Sequence, residues 1–413
     1  MASIGGMFTR PHEAFTAGFY RNEDFDFELR IALGQAASRG AEVGEVLQAV
    51  AGVGEHDTAA WFQAWLGLGD RTVALADGAA SAGHTLSASE AYLRAANYYG
   101  TALNAVDGLD SEDELLPTFR KHRAAWDRFV DTTPLSAERV ALPYEAGQTL
   151  PGYFFAPDEG TEPRPTLVMV NGSDGAISVL LGSGGYAALA RGYNVLLFDG
   201  PGQQSMLFER NVPFRPDWEA VVTPIVDYLL ARPDVDGAKL ALYGISQAGY
   251  WVPRTLAFEH RFAAAIADPG VVDVATSWTS HMPKSMIKLF EDGDKKKFDQ
   301  QMEIGLKFQR GAARTWAFRA RPYQVEGYFD VIAEVSRYTV KDVAGQITTP
   351  LFITDPEDEQ FWPGQSEQLA ALVPGSTLQR FTAAEGANFH CQPLARTLTD
   401  QRMFDWLDEQ LGR

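Results

Sequence analysis

The sequence predicts an α/β fold in which a mostly parallel central sheet is flanked by helices and carries an α-helical N-terminal cap and a helical lid insertion. Three observations point there. After Arg139, short and continuously apolar runs alternate with longer helical stretches, the pattern of parallel strands buried on both faces. Residues 1–135 carry helical periodicity and few strand signals. Between Val274 and Thr349 the β/α rhythm stops and helical patterns take over.

In the first stretch, Asp57 and Thr58 offer an N-cap before Trp61, Phe62, Trp65 and Leu66, aromatic and aliphatic residues at helical spacing. Ser87-Ala88-Ser89-Glu90 reads as a capping box opening a helix with Tyr92, Ala95, Ala96, Tyr99 and Leu103 on one stripe. Val140–Tyr144 and Leu150–Phe155, joined around Ala146-Gly147, predict an antiparallel hairpin. The buried strands are expected at Thr166–Val170, Asn194–Phe198, Leu240–Tyr243, Ala263–Ala267, Leu351–Thr354 and Thr377–Thr382. These divide the chain into a cap over 1–135, a first core part over 136–274, a lid over 275–348 and a second core part over 349–413.

Composition narrows the function. With 35 Lys and Arg against 54 Asp and Glu, the net charge of −19 opposes binding to nucleic acid or anionic lipid. A single cysteine, Cys391, excludes an internal disulfide and a multi-cysteine zinc site, and no metal or cofactor is expected. The start of the chain lacks the basic and apolar regions of a signal peptide, and no long uncharged apolar run suits a membrane span, so a cytoplasmic protein is expected.

The chemistry centres on Gly244-Ile245-Ser246-Gln247-Ala248-Gly249, which follows a strand and opens a helical pattern. That is the context of a nucleophile elbow, where small neighbours let a serine project from a strained turn. Ala248 stands where the second glycine of G-x-S-x-G is usual. A serine nucleophile needs a base and an orienting acid. Of seven histidines, only His390 follows the last core strand, in a loop ahead of the C-terminal helix. The acid belongs past Leu351–Thr354, where Asp355, Glu357, Asp358 and Glu359 compete. A carboxylate reaching out of the loop is favoured about four residues beyond the strand end. This selects Asp358, with Asp355 second. Asn171-Gly172-Ser173-Asp174-Gly175 follows a strand and is expected to donate one oxyanion-hole N–H near Ser173 or Asp174, the other coming from Gln247. Asp199-Gly200-Pro201-Gly202-Gln203 lacks dinucleotide-loop spacing and reads as a strand-end turn. Cys391 reads as loop packing, since no second histidine serves it.

The elbow around Ser246, the Asp199-Gly200-Pro201-Gly202 turn, the loop around Asp358 and the ending Gly386-Ala387-Asn388-Phe389-His390-Cys391 resemble the α/β-hydrolase superfamily. More narrowly they resemble its branch with a helical N-terminal cap, which contains 2,6-dihydroxypseudooxynicotine hydrolase and fungal polyketide-shortening hydrolases. The cap segment Ala88 to Tyr99 is similar too, so the likeness spans most of residues 55–413. It implies a Ser246–His390–Asp358 triad that hydrolyses an ester or a carbon–carbon bond next to a ketone, and a homodimer. A small hydrophobic substrate, aromatic or polyketide-like, is expected under the cap. Tyr92, Asn97, Tyr99 and Arg94, with Trp61, Trp65 and Tyr98, are candidates to contact it, the alternative being packing within the cap. A broad carboxylesterase, an eliminating or acyl-transfer enzyme, and a non-catalytic binding protein are the competing readings.

Overall fold

A computed structural model describes residues 18–307 and 309–413. Helices come first: α1 (Glu23–Gly34), α2 (Val43–Val50), α3 (Thr58–Ser81), α4 (Thr85–Ala105) and α5 (Leu115–Thr132). Asn22 caps α1 by accepting from the N–H groups of Asp24 and Phe25, and Glu23, Asp24 and Asp26 complement the dipole of its first turn. Asp57 caps α3 as expected, accepting from Ala60 N at 2.9 Å. Helix α4 begins two residues before Ser87, so the anticipated capping box lies inside the helix and His84 occupies the N-cap.

Eight strands form one sheet in the order β1-β2-β4-β3-β5-β6-β7-β8. They are β1 (Ser136–Pro143), β2 (Thr149–Ala156), β3 (Arg164–Val170), β4 (Asn194–Phe198), β5 (Val235–Ile245), β6 (Ala264–Asp268), β7 (Leu351–Pro356) and β8 (Thr377–Phe381). The hairpin β1–β2 joins antiparallel to β4, and every pairing from β4 to β8 is parallel. Val168 of β3 pairs with Leu196 of β4 on one side and Leu242 of β5 on the other. The chain therefore changes winding direction at β3, and the crevice beyond the carboxyl ends of β3 and β5 is where such a sheet places a ligand.

Two apolar layers cover the sheet. On one face lie α6 (Glu219–Leu230) and α7 (Ala248–Leu256), with Trp218 stacked on Trp251 at 4.4 Å. On the other lie α4 and α5 together with the C-terminal helix, residues Arg396–Gln410. A third cluster, built on Phe25, Trp61, Phe62, Trp65 and Tyr98, holds the N-terminal helices to one another. Between β6 and β7 the chain runs through α8 (Lys284–Glu291), α9 (Lys295–Lys307), α10 (Arg310–Ala320) and α11 (Tyr328–Val335). Among the described residues no helix is long and apolar enough to cross a membrane.

Candidate active site

Ser246 sits at the junction of β5 and α7 with φ of +58°, a left-handed conformation that a non-glycine residue keeps only when its surroundings impose it. They do so through close backbone contact. A Cβ on Gly244 would lie 2.5 Å from the carbonyl of Ala248, and one on Gly249 would lie 1.8 Å from that of Pro269. The tight approach that a second glycine normally permits thus falls to Gly249, and the methyl of Ala248 is buried without conflict. Gly172 is equally constrained, since a Cβ there would come within 2.8 Å of Ser246 Cβ.

His390 Nε2 lies 2.9 Å from Ser246 Oγ. Its Nδ1 lies 2.8 and 2.9 Å from the two oxygens of Glu359, and both side chains are almost fully buried. This corrects the expectation for the acid. Asp358 is exposed and turned toward Asn388, whose Nδ2 donates to it at 2.6 Å, while Asp355 is bound by Arg380 at 2.5 Å. The physical reason is strand length: β7 continues through Pro356, two residues past the predicted end at Thr354, so Asp358 stands only two residues beyond the strand terminus and Glu359, three residues beyond it, is the carboxylate that meets His390. Glu359 also accepts from the amides of Phe361 and Trp362, and the ring of Phe361 packs edge-on against His390 at 4.7 Å.

One residue beneath the elbow connects both partners. The Asp268 carbonyl accepts from Ser246 N at 2.6 Å and from Cys391 Sγ at 3.3 Å. Its carboxylate accepts from Tyr243, Thr354 and Arg396, and Arg396 in turn donates to the carbonyl of Cys391. Burial and the nearby carboxylates of Asp268 and Glu359 push the Cys391 thiol well above its usual range, which fits packing and not nucleophilic attack.

The loop after β3 is held by side chains that sequence reasoning passed over. Gln203 Nε2 donates to the carbonyls of Asn171 and Gly172 at 2.7 and 2.9 Å, and its Oε1 accepts from Gly200 N. The strand-end turn is therefore a brace for the loop beside Ser246. The Gly172 N–H is accepted by Asn171 Oδ1 at 2.9 Å, while Ser173, Asp174 and Gln247 border the cavity beside Ser246.

A cavity with two lobes opens over this machinery. The larger offers about 780 Å³ of empty space, its opening to solvent included, and is lined by Ser246, His390, Gly172, Phe27, Glu28 and Gly100, among others. The smaller, about 600 Å³, is lined by Ser173, Gln247, Gln204, Trp278, Arg319 and Tyr323, among others. Asn104 and Asp174 border both. Burial drives the carboxyl of Asp174 upward and the guanidinium of Arg319 downward from their ordinary values. Arg319 donates to Ser277 Oγ at 2.8 Å and lies 4.5 Å over the Trp278 ring. Among the described residues no group of three or more His, Cys, Asp or Glu is placed to hold a metal ion.

Comparison with known proteins places this architecture. Hydrolase LUC6 of Fusarium sp is 30% identical over 418 residues, covering 97% of this chain and 98% of the relative. The chain belongs to the α/β hydrolases. The Prolyl oligopeptidase family model matches residues 186–304 of this hydrolase. Hydrolase acrC of Aspergillus aculeatus is 29% identical over 425 residues, with 95% of this chain and 97% of the relative covered. The crystal structure of 2,6-dihydroxy-pseudo-oxynicotine hydrolase superposes with a TM-score of 0.71 at 22% identity, over 91% of this chain and 94% of that one, which establishes a shared fold.

In this hydrolase the expected substrate contacts on α4 are occupied elsewhere. Tyr92 and Tyr99 donate their hydroxyls to Asp77 and Asp70 of α3, Asn97 donates to the Gly40 carbonyl, and Arg94 pairs with Glu45. Trp61, Trp65 and Tyr98 are buried in the cap cluster. A later stretch of the same helix, Gly100, Thr101, Leu103 and Asn104, borders the cavity instead. From the lid side, Arg319 and Tyr323 were missed, as were Phe27 and Glu28 of α1. None of these four carries a periodic or motif signal.

Proposed function

We propose that this α/β hydrolase is a cofactor-free serine hydrolase with Ser246 as nucleophile, His390 as base and Glu359 as the orienting acid, acting on the carbonyl of a hydrophobic ketone or ester, with carbon–carbon bond hydrolysis favoured. The observation that carries it is the line of contacts from Ser246 Oγ through both nitrogens of His390 to Glu359, at the wall of a cavity. His390 takes the Ser246 proton and the alkoxide attacks the carbonyl carbon. The amides of Gln247 and Ser173 receive the developing negative oxygen; one such donor typically contributes about 3 kcal/mol in the transition state. When the intermediate collapses, the proton that His390 took from Ser246 passes to the leaving group, so an ester releases an alcohol and a β-diketone releases an enolate that is protonated at carbon to a ketone, and His390 is neutral again. Water, deprotonated by His390, then frees the acyl group from Ser246 as a carboxylic acid.

Two features favour a ketone. The cavity is lined by residues of the N-terminal helices, the core and the segment between β6 and β7, which suits a compact apolar molecule better than a polymer end. The fold neighbour with the same capped arrangement is named for hydrolysing 2,6-dihydroxy-pseudo-oxynicotine.

A fluorophosphonate probe tests the nucleophile: labelling of the wild-type protein and none of Ser246→Ala is expected, and an unlabelled wild type beside a labelled control hydrolase defeats the reading. Parallel assays of p-nitrophenyl butyrate and an aryl β-diketone in ¹⁸O water separate the reactions. Label in the acid from the diketone supports carbon–carbon hydrolysis; ester turnover alone reduces the protein to a carboxylesterase.

A further inference from the structure

We propose that Glu28 of the cap helix α1 is a specificity-determining residue that donates a hydrogen bond, as a neutral carboxylic acid, to a second carbonyl oxygen of an uncharged substrate. This rests on the reading of Ser246 as the nucleophile that attacks the first carbonyl.

Placement is the first ground. Glu28 lines the same lobe as Ser246 and His390, and the neighbouring Phe27 brings its ring to 6.1 Å from the His390 ring, so this turn of α1 roofs the reacting groups. Its partners are the second ground. Asn104 Nδ2 donates to Glu28 Oε1 at 3.0 Å, and no described cation forms an ion pair with the carboxyl. The cation on its own lobe, Arg396, is held by Asp268, Asp400, Tyr243 and the carbonyls of Ser183 and Cys391. Arg319 borders the other lobe and is bonded to Ser277. The remaining titratable groups facing this space are Asp174 from the β3 loop, Asp24 one turn away on α1, and His390 with the buried thiol of Cys391 from the C-terminal loop.

A carboxylate enclosed among other acids, with an amide as its only hydrogen-bond donor, is costly; binding a proton removes the cost. Burial first, then the charge of Asp174, pushes the Glu28 carboxyl up to about 8, so the acid is mostly protonated at neutral pH. A protonated carboxyl carries one O–H that needs an acceptor. Asn104 already presents a donor to Glu28, so the acceptor comes from the ligand. The flanking acids disfavour an anionic ligand at the same spot. A neutral dicarbonyl compound meets both conditions, one carbonyl at Ser246 and the other at Glu28.

The test measures binding and does not depend on turnover. The Ser246→Ala protein is titrated calorimetrically with 2,2-dimethyl-1-phenylbutane-1,3-dione, a β-diketone that cannot enolise between its carbonyls, at pH 6.5 and pH 9. With the acid near 8, only about a tenth remains protonated at pH 9, so affinity is expected to fall about tenfold. Adding Glu28→Gln, which keeps an N–H donor but cannot ionise, is expected to hold the change below about threefold; His390 and Asp174 are still present, so the difference isolates Glu28. Adding Glu28→Leu is expected to weaken binding at pH 6.5 by about tenfold. Equal affinity at both pH values with Glu28 intact, or the same pH loss in the Gln variant, overturns the proposal. Failure to bind the diketone at either pH overturns it too, whereas fluorophosphonate labelling of Ser246 in the parent protein decides the nucleophile separately.

Discussion

The floor and the roof of the cavity are built on opposite plans. The floor is a chain of short contacts between residues at strand ends: Ser246 after β5, Glu359 after β7, His390 after β8, each with its side-chain polar atoms engaged by a named partner. The roof, made by α1, α4 and α10, presents Glu28, Asn104 and Arg319 with polar capacity left over toward the space between. A site that must perform one reaction needs the first plan, and a site that must choose among molecules needs the second.

Substitutions in the floor are expected to have the largest effects. Ser246→Ala or His390→Ala should lower kcat by about 10⁴-fold or more, with an unchanged circular dichroism spectrum. Next comes the acid. Glu359→Gln is expected to cost about 10²- to 10⁴-fold in kcat, because the amide can hold His390 in the wrong tautomer, whereas Asp358→Asn should cost less than about tenfold. The reverse order in steady-state assays would restore Asp358 and break the contrast. Gly172→Ala should lose about 100-fold in kcat, since its methyl would lie 2.8 Å from Ser246 Cβ and displace the oxyanion loop.

In the cap, Tyr99→Phe removes the hydroxyl bonded to Asp70 and is expected to lower stability by about 1 kcal/mol while kcat/KM stays within about threefold. A large loss of kcat/KM would return Tyr99 to the substrate. A separate readout, on stability alone, is a pH-dependent melting temperature. The Glu28 carboxyl rises from 4.5 to about 8 on folding, so between those values the unfolded chain releases its proton first and native stability falls as pH rises. Glu28→Gln should therefore match the parent below pH 4.5, gain in Tm up to pH 8 and hold that gain above it.

The same contrast explains what could be read from the amino-acid order. The floor was legible because it is tied to strand ends: continuous apolar runs located the strands, and the elbow and the final loop followed by topology. Ser246 and His390 emerged together in this way. The acid was displaced by one residue because hydrophobicity does not mark where a strand ends when its last residues are Asp355 and Pro356. The roof was not legible. Helix α4 is covered on nearly every side, by α3, α5 and the core, so its stripe of Tyr92, Ala95, Ala96 and Tyr99 reports packing in general and not which neighbour is a ligand. Gly100, Thr101 and Asn104 leave no periodic trace. Glu28 reads as an ordinary acid on an amphipathic helix until the cap is laid against the core.

Asp268 gives the floor a property that distances alone do not express. Its carbonyl carries the Ser246 amide, and the same residue, directly and through Arg396, carries the segment that holds His390 and Cys391. Ser246 and the segment of His390 are thus suspended from one common anchor. A displacement of the end of β6 would carry both in the same sense. The 2.9 Å interval between Ser246 Oγ and His390 Nε2 thus depends on a single residue at the end of β6.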